Sequence, residues 1–400
     1  MRMDEAGHPG TPAEVLAVAL RLGLTSFGGP IAHLGYYRAE LVARRAWLDE
    51  AEFADLLALC QFLPGPASSQ TLFAIGLLRA GWAGGLAAWV GFTLPSAALM
   101  LGFAWGAGWL GASAAGAGLL RGLRLVAVAI VAQAVWGMAQ KLCPDRARAS
   151  IAVASAVLVL LVAGAPGQLG AIALGGIAGL LVCRGEAPAM VGHLRAMSRA
   201  WGAACLAIFA VLLVGLPLLR GTVPGAPLFE AFYRSGALVF GGGHVVLPLL
   251  RDAVVQPGWV SDQAFLAGYG AAQAVPGPVF SFAAYLGAIA ATPPGGLAGG
   301  SLAVLAIFLP GLLLVAGALP FWDAFRRRPR AQAVMRGVNA AVVGLLGAAL
   351  YQPVWTSSVH SPADFALALV GFALLTAWRA PSLLVVLLGA ATGAAAGLVG

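Results

Sequence analysis

Apolar runs separated by short polar connections fill nearly the whole chain. Six runs fall near 14–42, 51–79, 83–109, 119–140, 150–164 and 168–183, and six more near 229–250, 262–290, 297–321, 336–352, 364–378 and 381–399. A thirteenth, 201–219, stands between the two sets, behind a polar stretch from Arg184 to Arg199. A helix needs about 20 apolar residues to cross the ~30 Å hydrocarbon core. The pattern therefore predicts an all-α polytopic membrane protein. For the first two runs of each set the pattern leaves both readings open, simple spans or broken, re-entrant segments.

The two sets are copies of one unit. Phe27-Gly28-Gly29-Pro30 recurs as Phe240-Gly241-Gly242-Gly243, Trp47 as Trp259 and Phe53 as Phe265. Gln61-Phe62-Leu63-Pro64-Gly65-Pro66 recurs as Gln273-Ala274-Val275-Pro276-Gly277-Pro278, an offset of 273 − 61 = 212. Leu94-Pro95 matches Leu309-Pro310, Arg121-Gly122 matches Arg336-Gly337 and Ala165-Pro166 matches Ala380-Pro381, all at 310 − 95 = 215. The chain divides into a short N-terminus (1–12), a first repeat (13–183), a linker with an extra transmembrane helix (184–228) and a second repeat (229–400).

Charge placement predicts that the repeats are inverted. Basic residues in short loops mark the cytoplasmic side. The loop between the third and fourth runs of the first repeat, Gly111 to Gly118, is neutral, whereas its counterpart carries Arg326, Arg327, Arg328 and Arg330. Between the fourth and fifth runs the order reverses: Lys141, Arg146 and Arg148 in the first repeat, no Lys or Arg from Gln352 to Pro362 in the second. The extra segment supplies the odd crossing that flips one repeat. Arg184, Arg195, Arg199 and Arg379 then fall on the cytoplasmic side, with the N-terminus inside and the C-terminus outside. Arg44, Arg45 and Arg121 fit less well, because simple spans would put them outside. Inverted repeats are typical of secondary transporters, whose sites lie near the midplane at the repeat interface.

Composition narrows the function. With 60% hydrophobic and 10% charged residues and a mean hydropathy of +0.91, the chain cannot cover a water-facing surface. Its +8 charge lies mostly in short loops, so it signals topology and not nucleic-acid binding. Cys60, Cys143, Cys183 and Cys205 form no CxxC and read as packing residues. Met1 to Pro12 has no apolar stretch before a cleavage site, so no leader is expected to be removed. No metal-protease, P-loop or nucleophile-elbow motif occurs, and neither an enzyme, a cofactor nor a metal site is expected.

The Pro-Gly-Pro elements carry the candidate chemistry. Each interrupts an apolar run, removing backbone donors in lipid, which is tolerable only where protein or a water-lined cavity satisfies the backbone. The chain restarts as Ala67-Ser68-Ser69-Gln70-Thr71, with Pro66 suited to a first helical position. The second copy reads Pro276-Gly277-Pro278-Val279-Phe280-Ser281. A half-helix N-terminus at the midplane offers free N–H groups and about half a positive charge to an anion. A plain proline kink would explain one copy; two copies, with Gln61 and Gln273 matching, favour a site. Ser26, Gly28 and Gly29, and Gly241, Gly242 and Gly243, allow tight backbone approach, for a ligand or for helix packing. His33 and His244 follow them without aligning (33 + 213 = 246, Val246) and read as proton-linked or packing residues. Arg38 and Arg251 do align, and are either forks for a tetrahedral oxyanion or interfacial cations. Glu40 and Asp252 stand nearby as their partners or as proton carriers.

Phe27-Gly28-Gly29-Pro30 with His33, Pro64-Gly65-Pro66 and their counterparts through Pro278 resemble, in order and across the chain, the long two-domain form of the chromate ion transporter (CHR) family. The resemblance implies export of chromate across the bacterial inner membrane, driven by the proton motive force, by a duplicated and fused protein. Alternatives on the same fold are another oxyanion such as sulfate, or a passive anion channel. The implied partners are the oxyanion and the lipid bilayer, with a homodimer left open and no nucleic acid.

Overall fold

The computed structural model describes residues 10–27, 29–111, 113–162, 165–183, 198–219, 221, 223–239, 246–322 and 328–399. Among them there is no strand, and helices are short where the sequence is interrupted and long where it is not. The helices are α1 (Pro12–Thr25), α2 (Gly29–Tyr37), α3 (Glu50–Phe62), α4 (Ala67–Gly111), α5 (Ala114–Leu142), α6 (Arg146–Leu161), α7 (Ala165–Val182) and α8 (Arg199–Gly215). The second half holds α9 (Ala226–Ala237), α10 (Val246–Val254), α11 (Asp262–Ala272), α12 (Phe282–Ile289), α13 (Gly296–Ala318), α14 (Pro329–Ala349), α15 (Pro362–Thr376) and α16 (Ser382–Val399).

Side-chain caps start many of these helices. Thr11, Ser113, Asp145, Ser261 and Ser361 each accept an N–H from the first turn they precede, and Asp49 forms a reciprocal capping box with Glu52. Such caps are worth about 1 kcal/mol each. Among the described residues, five helical stretches are long and apolar enough to cross a membrane: Ala67–Gly106, Ala114–Leu142, Arg199–Leu219, Gly296–Phe321 and Pro329–Gln352. The protein is thus an all-α polytopic membrane protein.

The first two runs of each repeat turn back instead of crossing. Arg45 reaches Glu14 at 3.9 Å, Arg21 reaches Glu40 at 3.9 Å, and Arg79 reaches Glu14 at 3.3 Å. The beginning of α1, the turn that follows α2 (a π-helical stretch, Arg38–Arg44) and residue 79 of α4 therefore share one side. The guanidinium groups of Arg45 and Arg79 also lie 5.8 and 5.4 Å from the ring of Trp47. The expectation that Arg44 and Arg45 face away from residue 14 is corrected: α1–α2 is a hairpin, and so is α3 with the first part of α4. α4 itself reverses at Gly81 (φ +66°), where Gly76 packs on the Gly84 backbone. In the second half, Ala291 at the end of α12 donates to the Trp259 carbonyl before α11 at 3.0 Å, and Val260 donates to Val254 at 3.0 Å.

The remaining helices exchange partners between the halves. α5 packs against α15 and α16, while its counterpart α14 packs against α6 and α7. Glycines set the close approach: a Cβ at Gly122 would collide with the Gly389 carbonyl, and one at Gly337 (122 + 215) with the Gly175 carbonyl. Contacts that recur with the two halves interchanged are those of a twofold arrangement. Arg121 of α5 clamps Asp364 of α15 through two hydrogen bonds of 3.1 and 3.0 Å, so this outlying arginine is neutralised across the interface.

Candidate functional site

Both Pro-Gly-Pro elements end a helix and start another. α3 stops at Phe62 and α4 begins at Ala67; α11 stops at Ala272 and a 3-10 turn, Val279–Ser281, leads into α12. Gly65 (φ +125°) and Gly277 (φ +100°) hold backbone conformations open to glycine alone. Each glycine reaches into the opposite half. The N–H of Gly65 donates to the Val239 carbonyl at 2.6 Å, and that of Gly277 donates to the Ser26 carbonyl at 2.9 Å. Ser26 and Val239 are themselves equivalent (26 + 213 = 239), so the two bonds form a reciprocal pair.

The two breaks are then finished differently. At the first, Gln70 turns its side chain back: Nε2 donates to the Pro64 carbonyl at 2.9 Å and to the Gly311 carbonyl of α13 at 3.0 Å. The equivalent of Gln70 is Phe282, which cannot donate, and Ser281 Oγ instead caps the Pro278 carbonyl at 2.8 Å. Beside the second break stand Ser26 and Ser96 of the first half, with Phe92 carrying His33 and Tyr37 against its ring and Thr93 following it in the chain. A Cβ at Gly277 would sit 3.0 Å from Ser96 Oγ and 3.2 Å from the Phe92 carbonyl. The rings of His33 and Tyr37 lie 5.3 and 5.5 Å from the Phe92 ring.

These side chains are buried and short of partners. Ser26 Oγ, both ring nitrogens of His33, Tyr37 Oη and Thr93 Oγ1 make no hydrogen bond within the protein, although the Ser26 backbone lies near the imidazole. Ser69 Oγ, Gln70 Oε1 and Gln273 Nε2 are in the same condition at the breaks themselves. Leaving a buried donor or acceptor unpaired costs about 1–3 kcal/mol. Such a concentration marks a place built to meet a polar ligand or water. The counterparts of Ser26, His33, Tyr37 and Thr93 are Val239, Val246, Leu250 and Phe308, so among the described residues the second half carries apolar side chains at these four positions.

The other sequence candidates are distributed as follows. Pro64, Pro66, Ser68, Pro276, Gly277 and Pro278 belong to the breaks, with Ser68 buried, whereas Gly29 opens α2 with open space around it. Gln61 is exposed on α3, whereas Gln273 is buried at the end of α11. Arg38 pairs with Glu50 at 2.9 Å and Arg251 with Asp262 at 2.8 Å, equivalent ion pairs at the ends of equivalent hairpins. Gly28, Gly241, Gly242, Gly243 and His244 lie outside the described residues. Among the described residues no cluster of His, Cys, Asp and Glu could hold a metal ion.

Comparison with known proteins now bears on the same elements. The family model for chromate transporters matches residues 13–180 and again 226–394. The chain belongs to the chromate transporter family. It is 30% identical over 92% of its length to 87% of the chromate transport protein of Pseudomonas aeruginosa. It is 28% identical to the probable chromate transport protein of Synechococcus elongatus, over 94% of this chain and 93% of that one. The chromate transport protein of Cupriavidus metallidurans is also 28% identical, over 95% and 92%. No solved structure matches the chain.

For this chromate transporter family member, sequence reasoning had missed Tyr37, Thr93 and Ser96. The available signal was the pair of hydroxyl residues flanking Pro95 inside an apolar run, Thr93-Leu94-Pro95-Ser96. A polar residue on either side of a helix-interior proline is where freed backbone groups and a ligand can meet.

Proposed function

We propose that the protein is a secondary active transporter that exports chromate across the bacterial inner membrane, driven by the proton motive force. One observation carries the reading: unpartnered Ser26, His33, Tyr37 and Thr93 cluster around Ser26 and Phe92, whose carbonyls face the Gly277 break, where the two halves meet. Chromate is a tetrahedral dianion, and hydroxyls, an imidazole and backbone N–H groups suit it. Its export is helped by an inside-negative potential, about 2.3 kcal/mol per charge per 100 mV and roughly twice that for a dianion.

The inverted arrangement belongs to the same proposal. With the hairpins folded back, Arg44, Arg45, Arg79, Lys141, Arg146, Arg148, Arg199, Arg328 and Arg379 all fall on the side of residue 14, which the positive-inside rule makes cytoplasmic. On the opposite side Arg121, Arg234 and Arg251 are each paired with a carboxylate. This supports an N-terminus inside and equivalent loops on opposite faces.

The test is uptake of labelled chromate and sulfate by inverted membrane vesicles. Export predicts that chromate accumulates inside energised vesicles and that collapsing the proton gradient abolishes accumulation. A preference for sulfate would move the reading to another oxyanion. Flux that ignores the gradient would make the protein a passive channel.

A further inference from the structure

α5 carries two arginines within its length, Arg121 and Arg124, and they are treated differently. Asp364 of α15 accepts two hydrogen bonds from Arg121, at 3.1 and 3.0 Å. Arg124 is partly buried and, among the described residues, has no hydrogen bond or ion pair. The charges that act on it are Arg121 and the Asp364 carboxylate that Arg121 already holds, so this trio keeps one positive charge (2 − 1). Arg124 lies ten residues (124 − 114) from the start of the 29-residue helix, about 15 Å along it at 1.5 Å per residue. An arginine at that depth is costly to insert, and is retained where it faces the bundle interior, a water-filled cavity or the path of an ion.

The face it occupies belongs to the core that joins the halves. Arg124, Ala127, Val128 and Val131 fall at i, i+3, i+4 and i+7, one stripe of the helix. Ala127, Val128 and Val131 are buried in the central apolar core with Val342 and Leu346 of α14, the equivalents of Ala127 and Val131 at the offset of 215. α5 and α14 also touch directly. The same stripe on α14 leads to Asn339 (124 + 215), the equivalent of Arg124, whose Oδ1 is buried without a partner. One position is a cation and its equivalent a neutral amide. Next to Arg124, the Leu123 carbonyl packs on α11, where a Cβ at Gly270 would collide with it. Gly270 stands three residues before Gln273 of the second break, whose Nε2 is buried and unpartnered.

We propose that Arg124 binds the transported oxyanion on the outer half of its path, as the cation that receives it from the Gly277 break before release. The inference rests on the anion-transporter reading of that break and on the inverted arrangement proposed with it. In that arrangement Arg124 stands on the outer side of the shared core and Asn339 on the inner side. A guanidinium is always charged, and its planar fork matches two oxygens of a tetrahedral oxyanion. Arg121 has its fork filled by Asp364, which leaves Arg124 as the open donor on α5. Asn339 offers hydrogen bonds without charge, so affinity for the anion depends on Arg124 from the outer side and not from the inner one.

Counterflow in inverted membrane vesicles, whose lumen is the outer face, separates the two sides. Vesicles holding the full chain are preloaded with unlabelled chromate, and uptake of labelled chromate is followed while the luminal and bath concentrations are varied in turn. Arg124→Gln is expected to raise the half-saturating luminal concentration at least about tenfold, the loss of one hydrogen-bonded charge, and to change the bath value by less than about threefold. Arg124→Lys, which keeps the charge, should return the luminal value to within about threefold of wild type. In detergent, Arg124→Gln should unfold no lower than wild type, because it breaks no bond and removes a cation that Arg121 repels. If the wild type shows counterflow and Arg124→Gln matches it on both sides, the proposal is overturned. Equal impairment on both sides with a lowered unfolding midpoint also overturns it, by making Arg124 a structural residue. A wild type without counterflow would overturn the transporter reading itself, and this inference with it.

Discussion

The N–H of Gly277 donates to the carbonyl of Ser26 at 2.9 Å, and Gly65 makes the equivalent bond to Val239 at 2.6 Å. Each Pro-Gly-Pro break is thus anchored on the break of the first hairpin in the opposite half. The bonds require the glycine φ values of +125° and +100°, which present those N–H groups across the interface. One hydrogen bond in each direction therefore links the hairpin tips of one half to those of the other.

Gly65→Ala and Gly277→Ala are expected to destabilise the protein by about 1–3 kcal/mol each through backbone strain. Gly65→Ala should be worse, because its Cβ would lie 2.8 Å from Gln70 Nε2 and 3.0 Å from Gly311 Cα. Gly102→Ala, with open space around it in α4, should change stability by no more than about 1 kcal/mol. Thermal unfolding in detergent measures all three. Unchanged midpoints for the first two would show that the breaks tolerate other backbone conformations.

Inversion has a direct labelling test. Ser113 and Arg328 occupy equivalent positions (113 + 215 = 328) at the starts of α5 and α14. In a chain without its native cysteines, Ser113→Cys and Arg328→Cys should react with an impermeant maleimide from opposite sides of the membrane. Arg44→Cys should react from the side of Arg328→Cys, because the first hairpin turns back. Labelling of positions 113 and 328 from one side would mean parallel repeats.

The hairpins show how far the sequence could be read. Pro64-Gly65-Pro66 had to break a helix, and the offset of 212 to Pro276-Gly277-Pro278 revealed the duplication. Whether a broken run crosses or returns depends on which charges meet, and the pairing of Arg45 with Glu14 spans 31 residues (45 − 14). No local pattern encodes that. The exchange of α5 and α14 between halves was equally hidden, since Gly122 reads as one more small residue until the Gly389 carbonyl is found against it. At the site, the glycines and prolines announced themselves by disrupting a period. Tyr37 and Thr93 did not, because both fit comfortably in an apolar helix.

His33 discriminates ligand chemistry from packing. Its ring sits edge-on to Phe92 (87° between planes), so phenylalanine can take its place in the aromatic cluster. His33→Phe keeps a flat ring there but enlarges it, so it should cost no more than about 1–3 kcal/mol of unfolding free energy, the range of small-to-large core changes. Chromate uptake into inverted vesicles should fall at least about tenfold, the loss of one good charge-bearing or hydrogen-bonding contact. Wild-type uptake would reduce His33 to a packing residue.

Arg121 and Asp364 tie α5 to α15 across the interface, with the Asp364 side chain 3% exposed and that of Arg121 53% exposed. Arg121→Gln leaves a buried carboxylate without its charge partner. A fully buried pair would cost about 3–5 kcal/mol; half-exposure of the arginine brings the expected loss to about 2 kcal/mol. Asp364→Asn should cost less, because Arg121 can turn to solvent. A double-mutant cycle on unfolding free energies should return a coupling above about 0.5 kcal/mol, and zero coupling would mean that the pair does not hold the halves together.

Gln70 separates two roles that the sequence could not. As a ligand-binding residue it would lower transport when replaced and leave the fold alone. Its Nε2, however, already serves two carbonyls, Pro64 at 2.9 Å and Gly311 at 3.0 Å, one on each side of the interface. Gln70→Leu keeps the volume and strips both bonds, so two buried acceptors lose their donor at about 1–3 kcal/mol each. We expect the unfolding free energy and the transport rate to fall together, by about 2–6 kcal/mol in the first. Gln70→Glu should be more damaging still, since an ionised carboxylate repels both carbonyl oxygens where the amide attracted them. If Gln70→Leu unfolds like wild type and only transport is lost, the side chain acts on the anion and the first break is held by other means.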